Sequence, residues 1–155
     1  MFKPKLMPKV MPVARVSLPI RRPRRECFLA LTDPETLSRF WLHDAGDSCI
    51  EEGAQLRWQF RADAPRISVL CREMRPDCLI RLELSNGVRI MLTLDRHEDG
   101  GTLVHYCECG FGADADTDEV SQATEGAARM LSALKTMLEP DVAETPDRPR
   151  LPTAA

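Results

Sequence analysis

The amino-acid sequence predicts an α+β domain in which a strongly curved antiparallel sheet wraps around one long C-terminal helix. Three observations lead to this prediction. Residues 13–41 contain one segment with strand periodicity and two short helical segments. Residues 48–109 contain successive segments in which apolar and polar residues alternate, and residues 117–139 carry apolar residues at helical spacing. Strands that follow one another, with helices before and after them, are typical of α+β domains.

The first strand and the two short helices have clear local signals. Apolar and polar side chains alternate over residues 13–20, and Pro19 near the end of this segment favours an edge strand or a bulge. Pro23 opens the first helix, because a proline in the first helical turn removes no backbone hydrogen bond. Asp33 is the predicted cap of the second helix, and Pro34 occupies its first position.

The middle of the chain predicts an antiparallel meander with one buried face. Apolar residues recur at every second position in each segment, which is the period of a strand with one face in the core. Asn86-Gly87 is typical of a two-residue β-hairpin turn. Turn-forming residues also separate the other segments, at Gly53, Ala64-Pro65, Pro76-Asp77 and Asp99-Gly100-Gly101.

The last helix has the strongest periodicity in the chain. Asp116 is its predicted cap, Glu119 follows three residues later, and Pro140 ends it. Its apolar stripe consists of Val120, Ala123, Ala127, Met130, Leu131, Leu134, Met137 and Leu138. We expect this stripe to pack on the sheet.

The length of 155 residues predicts one domain over residues 13–139. Residues 1–12 are expected to be a flexible lead-in and residues 140–155 a disordered tail, since neither segment has helix or strand periodicity. A composition of 43% hydrophobic and 29% charged residues is ordinary for a globular protein. Because no apolar run approaches the roughly 18 residues of a membrane span and no secretory signal is evident, we expect a cytoplasmic location.

Charge and cysteine usage predict neither a nucleic-acid partner nor a metal. The net charge is −3, and although residues 1–25 carry eight Lys or Arg and no acid, they overlap a predicted strand and helix and are expected to form a solvated face. The six cysteines form no C-x-x-C pair, which favours reduced thiols and no zinc site. The three histidines do not have metal-ligand spacing, and no cofactor-binding motif is present.

Strand alternation also predicts which side chains face the helix. The inward face consists of Leu56, Trp58, Phe60, Ile80, Leu82, Ile90, Leu92, Val104 and Tyr106. The same alternation points Glu108 inward. Two interpretations of Glu108 remain open: a polar anchor or general base in an apolar pocket, and an ordinary carboxylate at the wet rim of the sheet. Large aromatic residues such as Trp41 and Trp58 most often belong to the core, although pocket-wall residues would have the same sequence pattern.

Five short motifs resemble one known superfamily. They lie at residues 30–34 (ALTDP), Phe40-Trp41, Gly53, Gly101-Thr102-Leu103 and residues 131–139. In this order they resemble the helix-grip superfamily, which includes START lipid-transfer domains and polyketide cyclases. The match covers residues 13–139 and is closest to the bacterial branch related to the C-terminal domain of the activator of the ninety-kilodalton heat-shock protein ATPase.

This resemblance implies a hydrophobic cavity between the sheet and the last helix. Two departures bear on it: Phe40 replaces the first of two aromatic residues, and the tryptophan usual in the last helix is replaced near Gly126-Ala127-Ala128. The small residues Ala123, Gly126, Ala127 and Ala128 predict open space on the helix side.

The leading functional hypothesis is non-catalytic binding of an apolar small molecule or lipid, without a cofactor, by a monomer or homodimer. The predicted ligand-binding residues are Trp41, Trp58, Phe60, Leu82, Leu92, Tyr106, Glu108, Ala127, Met130 and Leu134. Two alternatives remain: a chaperone-associated or other protein-interaction module, and a cyclase- or dehydratase-like enzyme that uses Glu108.

Overall fold

The computed structural model describes residues 12–112 and 116–139. Its strands are β1 Ala14–Ile20, β2 Gln55–Trp58, β3 Ile67–Arg75, β4 Leu79–Leu84, β5 Arg89–Arg96 and β6 Thr102–Cys109. Its α-helices are α1 Arg24–Thr32, α2 Pro34–Phe40 and α3 Thr117–Leu138, and a short 3-10 turn spans Glu98–Gly100. The tail predicted at residues 140–155 and all but Pro12 of the predicted lead-in lie outside the described residues.

The six strands form one antiparallel sheet in the order β1-β6-β5-β4-β3-β2. The predicted α+β class, the curved antiparallel sheet, the two short helices after the first strand and the long final helix are all confirmed. β1 is an edge strand, as Pro19 predicted, and it pairs with β6. β1 therefore forms one edge of the sheet, next to the last strand β6. From β6 the neighbouring strands follow in reverse chain order to the opposite edge at β2.

The turn between β4 and β5 differs from the predicted two-residue hairpin. Leu84 and Val88 flank a three-residue connection, and the Leu84 N–H donates to the Val88 carbonyl at 2.8 Å. Gly87 has φ +94°, a left-handed conformation that its lack of a side chain allows. A turn followed by a left-handed glycine is the usual three-residue hairpin, so the Asn-Gly signal predicted the hairpin correctly but its loop length wrongly.

The two short helices begin as the sequence predicted. The backbone N–H of Thr36 donates to Asp33 Oδ2 at 2.9 Å, and Pro34 is the first residue of α2. Pro23 directly precedes the first residue of α1. Leu31 on α1 and Leu37 on α2 are almost completely buried, so both helices contribute to the core.

The C-terminal end of α3 is attached to β1 and the segment after it by polar contacts. The Glu139 carboxylate is only 3% exposed and accepts hydrogen bonds from the Arg21 backbone N–H and from Lys135 Nζ at 2.8 Å. Lys135 Nζ also donates to the Pro19 carbonyl at 3.1 Å, and Arg22 Nε donates to the Leu138 carbonyl at 2.6 Å. These bonds satisfy groups at a helix end that would otherwise lack partners.

The core lies between the concave face of the sheet and the helices. Its largest completely buried side chains include Trp58, Leu92, Leu131 and Leu134, which are 0% exposed. Within the described part of the chain, no helix is long and apolar enough to cross a membrane. All six cysteines belong to this part, and none forms a disulfide.

Candidate functional site

A cavity of about 670 Å³ lies between α3 and the concave face of the sheet, at the end near the β4–β5 hairpin. The sheet contributes Ile67, Leu84, Ile90, Tyr106 and Glu108, with Phe60, Arg61, Asn86 and Val88 from segments next to the strands. The helices and their ends contribute Phe40, Trp41, Gln122, Ala123, Gly126, Ala127, Arg129, Met130 and Ala133. Thirteen of these 18 residues are apolar or aromatic, and the five polar or charged ones are Arg61, Asn86, Glu108, Gln122 and Arg129.

An aromatic cluster forms one part of the cavity wall. The Trp41 ring lies 5.5 Å from Trp58, 6.1 Å from Phe60 and 6.2 Å from Tyr106, measured between centroids, and each pair meets edge to face. Edge-to-face contacts are favourable because the positive ring edge meets the negative ring face. Trp41, Phe60 and Tyr106 reach the cavity, and Trp58 packs behind them.

Tyr106 and Glu108 form a polar pair on the sheet side of the cavity. The Tyr106 hydroxyl donates a hydrogen bond to Glu108 Oε1 at 2.7 Å. Burial raises the pKa of the Glu108 carboxyl, although the Tyr106 hydrogen bond opposes this rise by stabilising the charged form. Burial and the adjacent Glu108 charge raise the pKa of Tyr106 above its ordinary value, so Tyr106 stays protonated at neutral pH. Glu108 points inward, as alternation predicted, and is half-buried in the cavity wall.

Exposed polar side chains border the cavity. Arg61, Gln122 and Arg129 lie in its wall and are exposed to solvent. Arg61 Nε lies 3.4 Å from the Asp63 carboxylate, and both side chains are mostly exposed. No ion pair between residues of the described ranges involves Arg129 or Glu108.

Six of the ten predicted site residues line the cavity: Trp41, Phe60, Tyr106, Glu108, Ala127 and Met130. The other four, Trp58, Leu82, Leu92 and Leu134, are at most 2% exposed and lie in the packed core away from the cavity wall. They face inward as predicted, but other core residues cover them. Ala128, predicted to border open space, is exposed to solvent and lies outside the lining.

Three lining residues on α3 were not predicted: Gln122, Arg129 and Ala133. Together with Gly126, which was predicted to border open space, they follow one another at intervals of four, three and four residues, which places them on one face of the helix. This face lies beside the buried stripe, so helical spacing could have identified it. It was overlooked because glutamine and arginine do not belong to an apolar pattern.

A second polar group, on the convex face of the sheet, was also unforeseen. Ser17 Oγ lies 2.7 Å from His105 Nδ1, and His105 Nε2 lies 3.0 Å from Asp95 Oδ2. The Asp95 side chain is 66% exposed, so solvent screens its interaction with His105. We assign no site to this row. Within the described ranges, no group of three or more His, Cys, Asp or Glu side chains has metal-binding geometry.

Solved structures with the same fold support the architecture. The protein SSP2350 from Staphylococcus saprophyticus has a TM-score of 0.70 and 26% identity, over 82% of this chain and 91% of that protein. The Aha1 dimer from Colwellia psychrerythraea has a TM-score of 0.70 and 18% identity, over 82% and 96% of the two chains. DynU16, from the dynemicin biosynthetic locus, has a TM-score of 0.68 and 21% identity over 83% of this chain, which spans only 47% of DynU16.

Family comparison agrees with the resemblance inferred from the short motifs. No curated protein matches the chain closely enough to indicate a relative. The family model described as "Activator of Hsp90 ATPase homolog 1-like protein" matches residues 21–139, which include both short helices, β2 to β6 and all of α3. The chain therefore belongs to the family of activator of Hsp90 ATPase homolog 1-like proteins.

Proposed function

We propose that the protein binds an apolar small molecule or lipid in the cavity between the sheet and α3, without converting it chemically. The observation that carries this proposal is the size and lining of the cavity. A volume of about 670 Å³ falls within the roughly 300–1,000 Å³ typical of small-molecule sites. Such sites are lined mainly by apolar and aromatic side chains with a few polar groups that orient the ligand, and 13 of the 18 residues that line this cavity are apolar or aromatic.

Desolvation of the wall favours binding of an apolar ligand. The cavity opens to solvent, since Arg61, Gln122 and Arg129 in its wall are exposed, and water fills it when no ligand is bound. An apolar ligand gains free energy when it displaces this water from aromatic and aliphatic walls.

Surface exposure gives less support to a protein-interaction module. In the part of the chain that the structure describes, the exposed large apolar side chains are Leu29 on α1 and Met91 on the convex face of β5. Single exposed residues on separate elements differ from the continuous apolar patch of a docking surface. The neighbour DynU16, which comes from a biosynthetic locus, agrees better with small-molecule binding.

Filling the cavity should abolish ligand binding. Ala127 is 4% exposed and lines the cavity, so Ala127→Trp places an indole ring in the proposed binding space. The neutral fluorescent probe phenylnaphthylamine should bind the wild type and become brighter as it leaves water. At a hundred times its Kd, it should add about 2.7 kcal/mol to the free energy of unfolding. Ala127→Trp should remove both effects.

The matched control is Ala128→Trp, which adds the same ring one position further along α3, on the exposed side. This variant should bind the probe like the wild type. Equal binding by both tryptophan variants would place the probe outside the cavity. A wild type that shows neither brighter fluorescence nor a higher melting temperature would refute the proposed function.

A second candidate function is acid–base chemistry at Glu108. The specific observation is that Glu108 lies in the cavity wall with a raised pKa, which brings a carboxylate closer to the basicity of a general base at neutral pH. The test is exchange of the acidic C–H hydrogens of tetralone for deuterium, followed by NMR. Faster exchange with the wild type than with Glu108→Gln supports this function, and equal rates reject it.

A further inference from the structure

The Tyr106–Glu108 pair in the sheet wall of the cavity can accept hydrogen bonds but has little capacity to donate them. The Tyr106 hydroxyl uses its only hydrogen in the bond to Glu108 Oε1. An ionised Glu108 has only acceptor oxygens, and its Oε2 accepts no hydrogen bond from the residues that the structure describes. An anionic group placed beside this pair would meet the ionised carboxylate and receive no hydrogen bond from either side chain, so this part of the wall disfavours negative charge.

The border of the cavity has the opposite electrostatic character. Arg129 lies on the lining face of α3, three residues after Gly126 and four before Ala133. It forms no ion pair within residues 12–112 and 116–139, and even Glu125, one turn earlier on α3, does not pair with it. Among the residues that the structure describes, its five N–H donors therefore have no carboxylate partner, and they lie beside the cavity.

Arg61 adds a second positive charge to this border. Its partner Asp63 is 82% exposed, and an exposed pair at 3.4 Å contributes little, so a better-placed anion can compete for the guanidinium. The two arginines beside the cavity give its border a local positive charge, although the chain as a whole has a net charge of −3. Arginine binds carboxylates and similar groups through parallel N–H donors in a planar fork.

We propose that the ligands of this cavity are anionic apolar compounds, with an aromatic or aliphatic body and one carboxylate- or sulfonate-like group. Arg129, assisted by Arg61, holds the charged group at the border, and the apolar body lies inside against Trp41 and Tyr106, away from the Glu108 charge. This inference rests on the proposed function, since it assigns a chemical class and an orientation to the ligand of the same cavity.

Two probes with the same ring system separate the effect of charge from that of apolar contact. Phenylnaphthylamine is neutral, and anilinonaphthalene sulfonate carries one additional anionic group. Arg129→Gln should weaken binding of the sulfonate about 3–10-fold, the scale of one charge-assisted hydrogen bond at a partly exposed site, and should change binding of the neutral probe by less than about twofold. Arg61→Gln should have a smaller effect in the same direction, because Arg61 already shares its charge with Asp63.

Arg57→Gln is the matched control. Arg57 is exposed on β2, and its neighbours Leu56 and Trp58 are buried, so its side chain points away from the cavity. The substitution removes the same charge from the molecule, and both probes should bind this variant like the wild type. A loss of sulfonate binding equal to that in Arg129→Gln would show that net charge, and not a site at the border, attracts the anion.

The outcomes distinguish this inference from the proposed function. If both probes bind the wild type and Arg129→Gln leaves sulfonate affinity unchanged or weakens both probes equally, the anionic assignment is wrong and cavity binding stands. The assignment is also rejected if the sulfonate binds Glu108→Gln much more tightly than the wild type but binds Arg129→Gln with unchanged affinity. That result would place the anionic group beside the sheet. If neither probe binds the wild type, or both bind Ala127→Trp equally well, the proposed function fails and this inference fails with it.

Discussion

The two parts of α3 face the same sheet, but only the second part is packed tightly against it. After Met130, the side chains of Leu131 and Leu134 are 0% exposed, and Glu139 ties the end of the helix to the segment after β1. Before Met130, the inward positions carry alanine and glycine and border the cavity. A Cβ atom added at Gly126 would meet no atom within 4 Å. Side-chain size along one helix therefore separates a region that stabilises the fold from a region available to a ligand.

Two glutamates show the same contrast electrostatically. Glu139, at the end of the packed part, is buried, and this burial alone would raise its pKa, but hydrogen bonds from Lys135 and the Arg21 backbone outweigh it and lower the pKa of the carboxyl. Burial of Glu108, beside the cavity, raises the pKa of its carboxyl, and among the described residues the Tyr106 hydroxyl is the one hydrogen-bond donor that opposes this rise. Several hydrogen-bond donors stabilise the ionised form of a buried carboxylate, whereas a single donor does not offset the free-energy cost of burying the charge.

The largest expected effect comes from shortening a side chain in the packed part. Leu134→Ala should lower the free energy of unfolding by about 2–5 kcal/mol, because the surrounding core cannot close the space left behind. Val120→Ala, in the first turns of α3 where Val120 is only partly buried, should lower it by less than about 1 kcal/mol. Urea denaturation of both variants measures the difference. Similar losses would show that the two parts of α3 are packed equally.

Removing the charge of Glu139 should be the next largest effect. Glu139→Gln weakens the hydrogen bonds from Lys135 and Arg21 and should cost about 1–3 kcal/mol at pH 7. Because the pKa of this carboxyl is lowered in the folded state, its contribution is present above the unfolded value of about 4.3 and is lost as the pH falls through the folded value. Denaturation at a series of pH values should show the two proteins converging below about pH 4. A constant difference would contradict this account.

The smallest effect, with the opposite sign, is expected at Glu108. The pKa of this carboxyl is raised in the folded state, so its contribution to stability is present below the unfolded value of about 4.3 and is lost as the pH rises through the folded value. Glu108→Gln can still accept the Tyr106 hydrogen bond and should raise the melting temperature at pH 7, but not at pH 4. A lower melting temperature at pH 7 would mean that the ionised carboxylate is better satisfied than these contacts indicate.

Much of the fold could be predicted from local patterns. Asp33 and Asp116 both cap helices as expected, because a cap depends on residues three positions away in the chain. The inward direction of Glu108 followed from the alternation of β6, since successive side chains of a strand point to opposite faces. The length of the hairpin loop could not be predicted in the same way, because Asn-Gly occurs in connections of more than one length. The pairing of β4 with β5 selected the three-residue form.

The candidate site was predicted less completely, and Leu92 and Ile90 show why. Both face inward on β5, but Leu92 pairs with Tyr106 and is 0% exposed in the core, whereas Ile90 pairs with Glu108 and lines the cavity. Alternation identifies the face of a strand and contains no information on what covers each position. Arg129 was missed for a related reason, since a charged residue in an amphipathic helix is ordinarily assigned to the solvated face.

The sequence by itself determined the type and order of the elements, the caps of the helices and the side of each strand that faces the core. These features depend on neighbours within a few residues, so they are encoded in short-range patterns. Only the tertiary structure decided where the cavity lies, which inward residues reach it and which charges border it. Those features depend on the path of α3 across strands up to about a hundred residues away in the chain. Its bulky residues after Met130 fill the space above the sheet, and its alanines and glycine before Met130 leave it open.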